Sequence, residues 1–330
     1  MESILRPDGI TVLKNEYDSL NRVVKQTMPD GGVTEIKYDA DNLKTYHMQP
    51  NGSMIVYESD ERFRNIKTVY EDGEETYEYN DKNLRTLSVD KLGNTMKYIY
   101  DDRGNLTEIV DSMGNHVSMT YDDKNRLLRK KTPNGIVIEN RYDKMGRLVE
   151  SKDAEGNMKK FCYDEFSHVT KIIQEDSSEI LVGYDKNGNI ASITDALGNL
   201  LKYEYDDLNR ITATWDGNGN QTRFSYDNHN DLIESVNALG DKKKFRRDFN
   251  GKIISIIDYD ESVAAVKYGL SNKAEVLEDK EENKTQNTFD HMGNLIEKLF
   301  PNGSKQSYTY DKQNRVTEFR DVLGYVTKYE

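Results

Sequence analysis

Cysteine, tryptophan, proline and histidine are all scarce in this chain: one Cys, one Trp, five Pro and five His in 330 residues. A lone thiol, Cys162, excludes an internal disulfide framework. No apolar run approaches the length of a membrane-crossing helix. The first thirty residues, with Glu2, Arg6, Asp8 and no apolar core, do not read as a signal peptide. Positive charge is short as well. With 46 Lys and Arg against 59 Asp and Glu, the net charge of -13 disfavours nucleic acid, whose binding rests on a basic surface. The one basic stretch, Lys242 to Arg247, reads as a solvated strand with alternating charges. Helical periodicity is missing throughout.

Signatures of chemistry are equally thin. His47, His116, His168, His229 and His291 never fall at a common position of the repeat described below, as a repeated metal or acid–base site would require, and they read as exposed loop residues. Asp185-Lys186-Asn187-Gly188-Asn189 and Asp216-Gly217-Asn218-Gly219-Asn220 look like calcium loops. Yet Ile190 and Ala196, and Gln221 and Asp227, stand where Gly and Glu are needed, so turn chemistry is the better account. No nucleophile elbow, phosphate loop or zinc-helix signature occurs. Neither a catalytic residue, a cofactor nor a metal ligand is expected.

What is abundant is tyrosine, 22 residues, and it is placed in register. Tyr stands at 17, 38, 79, 100, 121, 142, 163, 184, 205, 226, 268 and 310, and the same register passes through Ser59, Arg247 and Phe289. The spacing is 21 residues, apart from one step of 20 between Ser59 and Tyr79, and Asp follows in thirteen of the fifteen units, which makes this a repeat architecture. Four residues after the opening comes Gly or Asn, as at Asn42, Gly104, Asn125, Gly146 and Gly188; only Phe63 and Ser167 depart. Fourteen residues after it comes Gly, as at Gly114, Gly135, Gly156 and Gly198, with Ser177, Glu261 and Glu282 as exceptions. Gly and Asn enter the left-handed backbone region most cheaply, so each site marks a turn. An Asp that starts a type I turn, followed by a left-handed residue, is a hairpin connection with a bulge.

The residues between the turns read as strands. Aromatic rings recur two residues before the opening, at Tyr77, Tyr98 and Tyr203 among others, and a period of two puts them on the face of the opening Tyr. Four of the five prolines fall in the second turn, where a missing donor does no harm. The fold expected is all-β: one antiparallel hairpin strip of roughly thirty short strands, a single array over residues 1–330, winding as strands twist into a curved, shell-like ribbon. The pattern is already running at Pro7-Asp8-Gly9 and still running at Glu330. Both ends therefore read as cut within the array, with open strand edges near Ile10 to Tyr17 and Tyr325 to Glu330 and no sealed cavity.

The unit, most clearly Tyr100-Asp101-x-x-Gly104-Asn105-Leu106, Tyr142-Asp143-x-x-Gly146-Arg147-Leu148 and Tyr205-Asp206-x-x-Asn209-Arg210-Ile211, resembles the YD-repeat, or Rhs-repeat, family over nearly the whole chain. That resemblance implies a long strip wound into a hollow shell, as in bacterial polymorphic toxins, cocoon components of insecticidal toxin complexes, wall-associated proteins and teneurins. It further implies a non-catalytic role, secretion or surface display as part of a larger protein, and as partners further repeats of the same parent and an enclosed C-terminal effector. The DPxGL-type motif that ends many toxin cores is missing. The alternative is a carbohydrate-binding face on which Tyr77, Tyr98 and Tyr203 stack against glycans.

Overall fold

Two obligatory turns in each unit leave segments too short for helices and long enough for strands. The structure, a computed structural model, describes residues 3–5, 11–248 and 250–329. Among these residues it has no helix and thirty-two strands, β1 (Ser3–Leu5) to β32 (Val326–Lys328) in chain order. All lie in one antiparallel sheet, and each strand whose register is described pairs with its neighbours in sequence. For example β11 (Leu106–Asp111) meets β10 (Thr95–Tyr100) through Ile109↔Tyr98 and β12 (His116–Tyr121) through Ile109↔Val117. By contact the chain divides into two compact bodies, a terminal one of residues 1–75, 226–234 and 241–330 and a central one of residues 76–225 and 235–240. Both are built from the same unit.

There is no second layer. Among the described residues no large side chain is fully buried, and the most buried apolar one is small, Ala213, 4% exposed. Stability therefore comes from neighbour-to-neighbour packing along the strip, as in other repeat arrays. Strands that lead into an opening Tyr alternate between exposed and half-buried residues, and Phe224 and Tyr226 both lie on the covered side of β22 (Gln221–Tyr226).

The turns follow the expected geometry with one shift. Gly104 N donates to Asp101 O at 3.0 Å and Asp101 N to Asn105 O at 2.9 Å, and the register slips between Ile99 and Tyr100, the bulge of a type I hairpin. Even the units without Gly or Asn comply: Phe63 and Ser167 in the first turn, and Ser177, Glu261 and Glu282 in the second, have φ of 58 to 70°. The ladder on either side imposes the turn whatever residue occupies it. In the second unit it is Leu43, at φ 51°, and not Asn42 that enters the left-handed region. Asp39 pairs with Lys44 there without a bulge, so the loop is one residue longer and the bend moves along by one. The single 20-residue step has its cause in the third unit, where only Glu71 and Asp72 join β7 (Asn65–Tyr70) to β8 (Gly73–Tyr79).

At the C-terminal edge β32 pairs with β31 (Val316–Arg320). At the other end the expectation is corrected: β2 (Thr11–Tyr17) has partners on both sides, β1 and β3 (Val23–Thr27), so the edge strand is β1. Pro7-Asp8-Gly9, Ile10 and Glu330 lie outside the described residues.

Candidate functional site

The Asp after the opening residue is, in most units, the centre of a polar box. Asp122 Oδ1 accepts the backbone N–H of Lys124 at 2.9 Å and of Arg126 at 3.0 Å, while Oδ2 accepts Arg126 Nε at 2.7 Å. Asp18/Arg22, Asp60/Arg64, Asp143/Arg147, Asp206/Arg210 and Asp311/Arg315 repeat the arrangement, and Asn replaces Arg in Asp101/Asn105 and Asp185/Asn189. The second turn uses the same box, as in Asp195/Asn199 and Asp216/Asn220. Thus the carboxylates of the two calcium-like stretches are already engaged by their own turns. Hydrogen bonds from the Arg126 side chain and then its amide hold the Asp122 carboxyl down at about 2, and the other first-turn Asp residues named here shift the same way. Because the folded value lies below the unfolded one of 3.8, stability from the Asp122 box is complete above that value and is lost as pH falls towards about 2. Melting followed by circular dichroism should be flat from neutral pH to about 5 and fall steeply below about 4. A flat profile to pH 2 would remove this role.

The box also explains the next Tyr. Arg126 reaches across to the following unit and lies over the Tyr142 ring at 4.6 Å; Arg22 covers Tyr38, Arg147 covers Tyr163 and Lys252 covers Tyr268 in the same way. Each of these hydroxyls, except that of Tyr163 at 2.6 Å, donates at 3.0 to 3.2 Å to a backbone carbonyl fifteen residues earlier: Tyr38 to Val23, Tyr142 to Leu127, Tyr163 to Leu148 and Tyr268 to Ile253. The β11–β12 pairing shows why a donor is wanted. Its described register ends at Glu108↔Ser118, leaving the Leu106 carbonyl beyond the ladder, and Tyr121 takes it at 2.8 Å. Sequence reading gave the rings a packing role and missed both the hydroxyl bond and the Arg or Lys that stands five residues after eight of the openings.

The glycines separate into two kinds. Gly104, Gly146 and Gly188 in the first turn have φ of 84 to 92°, and a Cβ there would face Leu84, Arg126 or His168 of the preceding unit. Gly114, Gly135 and Gly198 in the second turn have φ of 82 to 88° with nothing within 4 Å. Gly156, at 94°, sees only the Lys152 side chain at 3.8 Å. This difference accounts for Asn at many first turns: Asn125, Asn209 and Asn314 accept from Asn105, Asn189 and Asn294, a partner the open second turn does not supply.

Tyr77 and Tyr98 lie on strands either side of Ser88: Tyr77 is opposite Ser88 and the Tyr98 hydroxyl is 3.3 Å from Ser88 Oγ. Tyr203 sits ten strands beyond Tyr98, on β20 (Leu200–Tyr205). All three rings are half-buried, and Arg85 lies over Tyr77 at 4.4 Å. Three histidines depart from the exposed-loop reading: His47 meets the Tyr57 ring edge-on at 5.1 Å from strand β5 (Lys44–Met48), His116 opens strand β12 with its ring on Glu108, and His168 stacks on Tyr184 at 4.6 Å in the place Arg holds elsewhere.

Within the terminal body the strip meets itself. The second turns of the first three units lie against the first turns of the last two: His291 Nδ1 is 3.8 Å from Asp30, Asn51 Nδ2 donates to the Lys312 carbonyl at 3.0 Å, Lys312 pairs with Glu71 at 3.1 Å and Arg315 with Asp72 at 3.3 Å. Ser53 beside this seam is 8% exposed. The sheet itself stays open, because these are contacts between turns and not ladder bonds.

Among the described residues no group of His, Cys, Asp and Glu could hold a metal, and no helix is long and apolar enough to cross a membrane. The chain is similar in fold to crystal structures of TcdB2-TccC3. The TcdB2-TccC3-Cdc42 structure and TcdB2-TccC3 without its hypervariable C-terminal region each match 94% of the chain at a TM-score of 0.62 and 13% identity. The chain spans 18% of the length of each. No individual curated protein matches it in sequence. The teneurin YD-shell family model matches residues 88–195 and 196–322, over which the Tyr-Asp box and the two left-handed turns recur unit after unit, and the chain therefore belongs to the teneurin YD-shell family of YD repeats.

Proposed function

We propose that the chain is a non-catalytic structural segment, one continuous array, of a YD-repeat shell that encloses or presents a toxin or effector outside the cell. The observation that carries this reading is the seam in the terminal body. A single-layer strip with no packed core has two free faces, and joining its edges turn to turn is how such a layer can bound a volume without a second layer. The recurrent turn carboxylates, such as Asp122 and Asp195, are engaged by their own turns, which supports a structural role for them. Sugar stacking on Tyr77 and Tyr98 is less favoured, because Arg85 already covers the Tyr77 ring. A glycan array comparing the chain with its Tyr77→Ala and Tyr98→Ala variants tests that alternative. For the shell, the test is limited proteolysis of the native polypeptide that carries this strip. A segment held inside should be cut far more slowly than the same segment expressed alone; equal rates would discard the reading.

A further inference from the structure

The seam joins stretches 241 to 261 residues apart, and nothing in a uniform repeat says which unit should meet which. Three features of the two edges coincide there. Thirteen residues after the opening, the docked second turns carry Asp30, Asn51 and Asp72, each of which makes a cross-seam contact. Five further units carry Asp or Asn at that position, as at Asn134 and Asp176, whereas Leu92, Met113, Leu197, Leu239 and Leu323 are apolar and exposed there. Two residues further on, six other units carry Asn, as at Asn94, Asn115 and Asn157, whereas the first two docked units have Gly32 and Ser53. A Cβ on Gly32 would lie 3.3 Å from His291 Cβ and 3.4 Å from its carbonyl oxygen. Gly32 has no positive φ, so the crowding that asks for glycine comes from Asp30 Oδ1 of its own turn, at 3.2 Å, together with the other edge.

The third feature is on the opposite edge. Two residues after the opening most first turns are acidic or neutral, with Glu61, Asp81, Asp102, Asp123, Glu165 and Asp207 among them; His291 and Lys312 are basic residues, matched only by Lys144 and Lys186. Sliding the seam so that Asp102 or Asp123 faced Asp30, Glu71 or Asp72 would set carboxylate against carboxylate, which costs energy as surely as the native pairing gains it. The side chain next along is covered as a result: Met292 is half-buried, while its counterpart Met145 is 71% exposed and Met113, in a second turn, is 83% exposed.

We infer that the second-turn edge of the first three units is an interaction surface for one partner, the first-turn edge of the last two units, and that charge together with the small residues Gly32 and Ser53 selects this register. Each exposed pair is weak alone, and four together with a steric match discriminate between registers in which all other contacts repeat. This holds whatever the strip encloses.

Native methionines report on it. Under dilute peroxide, mass spectrometry should find Met292 oxidised several-fold more slowly than Met113 and Met145 in the same molecule. Reversing one side, Glu71→Lys with Asp72→Lys or Lys312→Glu with Arg315→Glu, should bring Met292 up to their rate, and combining all four should restore protection. Gly32→Asn, whose side chain would press on His291, should also expose Met292, and 1 M salt should weaken the protection. Protection unchanged by single-sided reversal would show that curvature alone holds the seam. Met292 as reactive as Met113 in the unaltered chain, or no rescue by the fourfold swap, would equally overturn the proposal.

Discussion

Tyr142→Ala should destabilise its part of the strip by about 3 kcal/mol, and Tyr142→Phe by about 1 kcal/mol. The ring is half-buried beneath Arg126, and hiding on the order of 100 Å² of apolar surface contributes about 2.5 kcal/mol. The hydroxyl adds one hydrogen bond, 3.0 Å to the Leu127 carbonyl. In an array whose units touch only their neighbours the loss should stay local. Hydrogen exchange should therefore rise in β13 (Leu127–Lys131) and β15 (Leu148–Lys152) before it rises elsewhere. A Phe variant as stable as the parent would remove the hydroxyl bridge from the account. The unit that opens with Phe289 keeps only the amide donor: Asn287 Nδ2 donates to the equivalent carbonyl, Ala274, at 3.0 Å, as Asn140 Nδ2 does to Leu127 at 3.2 Å beside the Tyr142 hydroxyl.

Gly146→Val should be worse than Gly135→Val, though both replace a glycine of φ near 90°. At Gly135 the only penalty is the left-handed backbone, about 1–2 kcal/mol for a residue with a Cβ. At Gly146 the new Cβ also falls 3.1 Å from Arg126 Nη1. Asp122 pins that guanidinium, and its Nη1 is buried and unpartnered among the described residues. Displacing it would disturb the box and the stack on Tyr142 together, for about 2–4 kcal/mol in all. Glu155→Val, one place before the left-handed Gly156, is the control and should stay within about 0.5 kcal/mol. Denaturant midpoints compared at constant m-value decide the matter; equal losses at Gly146 and Gly135 would mean that backbone strain is the whole effect.

Most of the local structure was legible because it is local. A left-handed residue and an Asp three places before it specify a turn with no help from the rest of the chain, and fifteen copies at one spacing leave a hairpin strip as the consistent solution. Where a single unit broke the pattern, reading failed by one residue, as at Asn42, because the bend is placed by the pairing of Asp39 with Lys44 and that pairing leaves no mark in the turn itself. The roles of Arg126, His168 and the Tyr hydroxyls escaped for a related reason. They act on the next unit, and a period says where a side chain recurs without saying what it reaches.

From the sequence alone came the 21-residue unit, its two turns, the all-β strip and the lack of any recurrent catalytic constellation. Those depend on backbone propensity and alternation, which residues carry individually. Tertiary structure alone decided that Asp30, Asn51, Glu71 and Asp72 meet His291, Lys312 and Arg315. The small increments of twist and bend at each strand accumulate over more than two hundred residues before those turns come into reach, and no single unit encodes the sum.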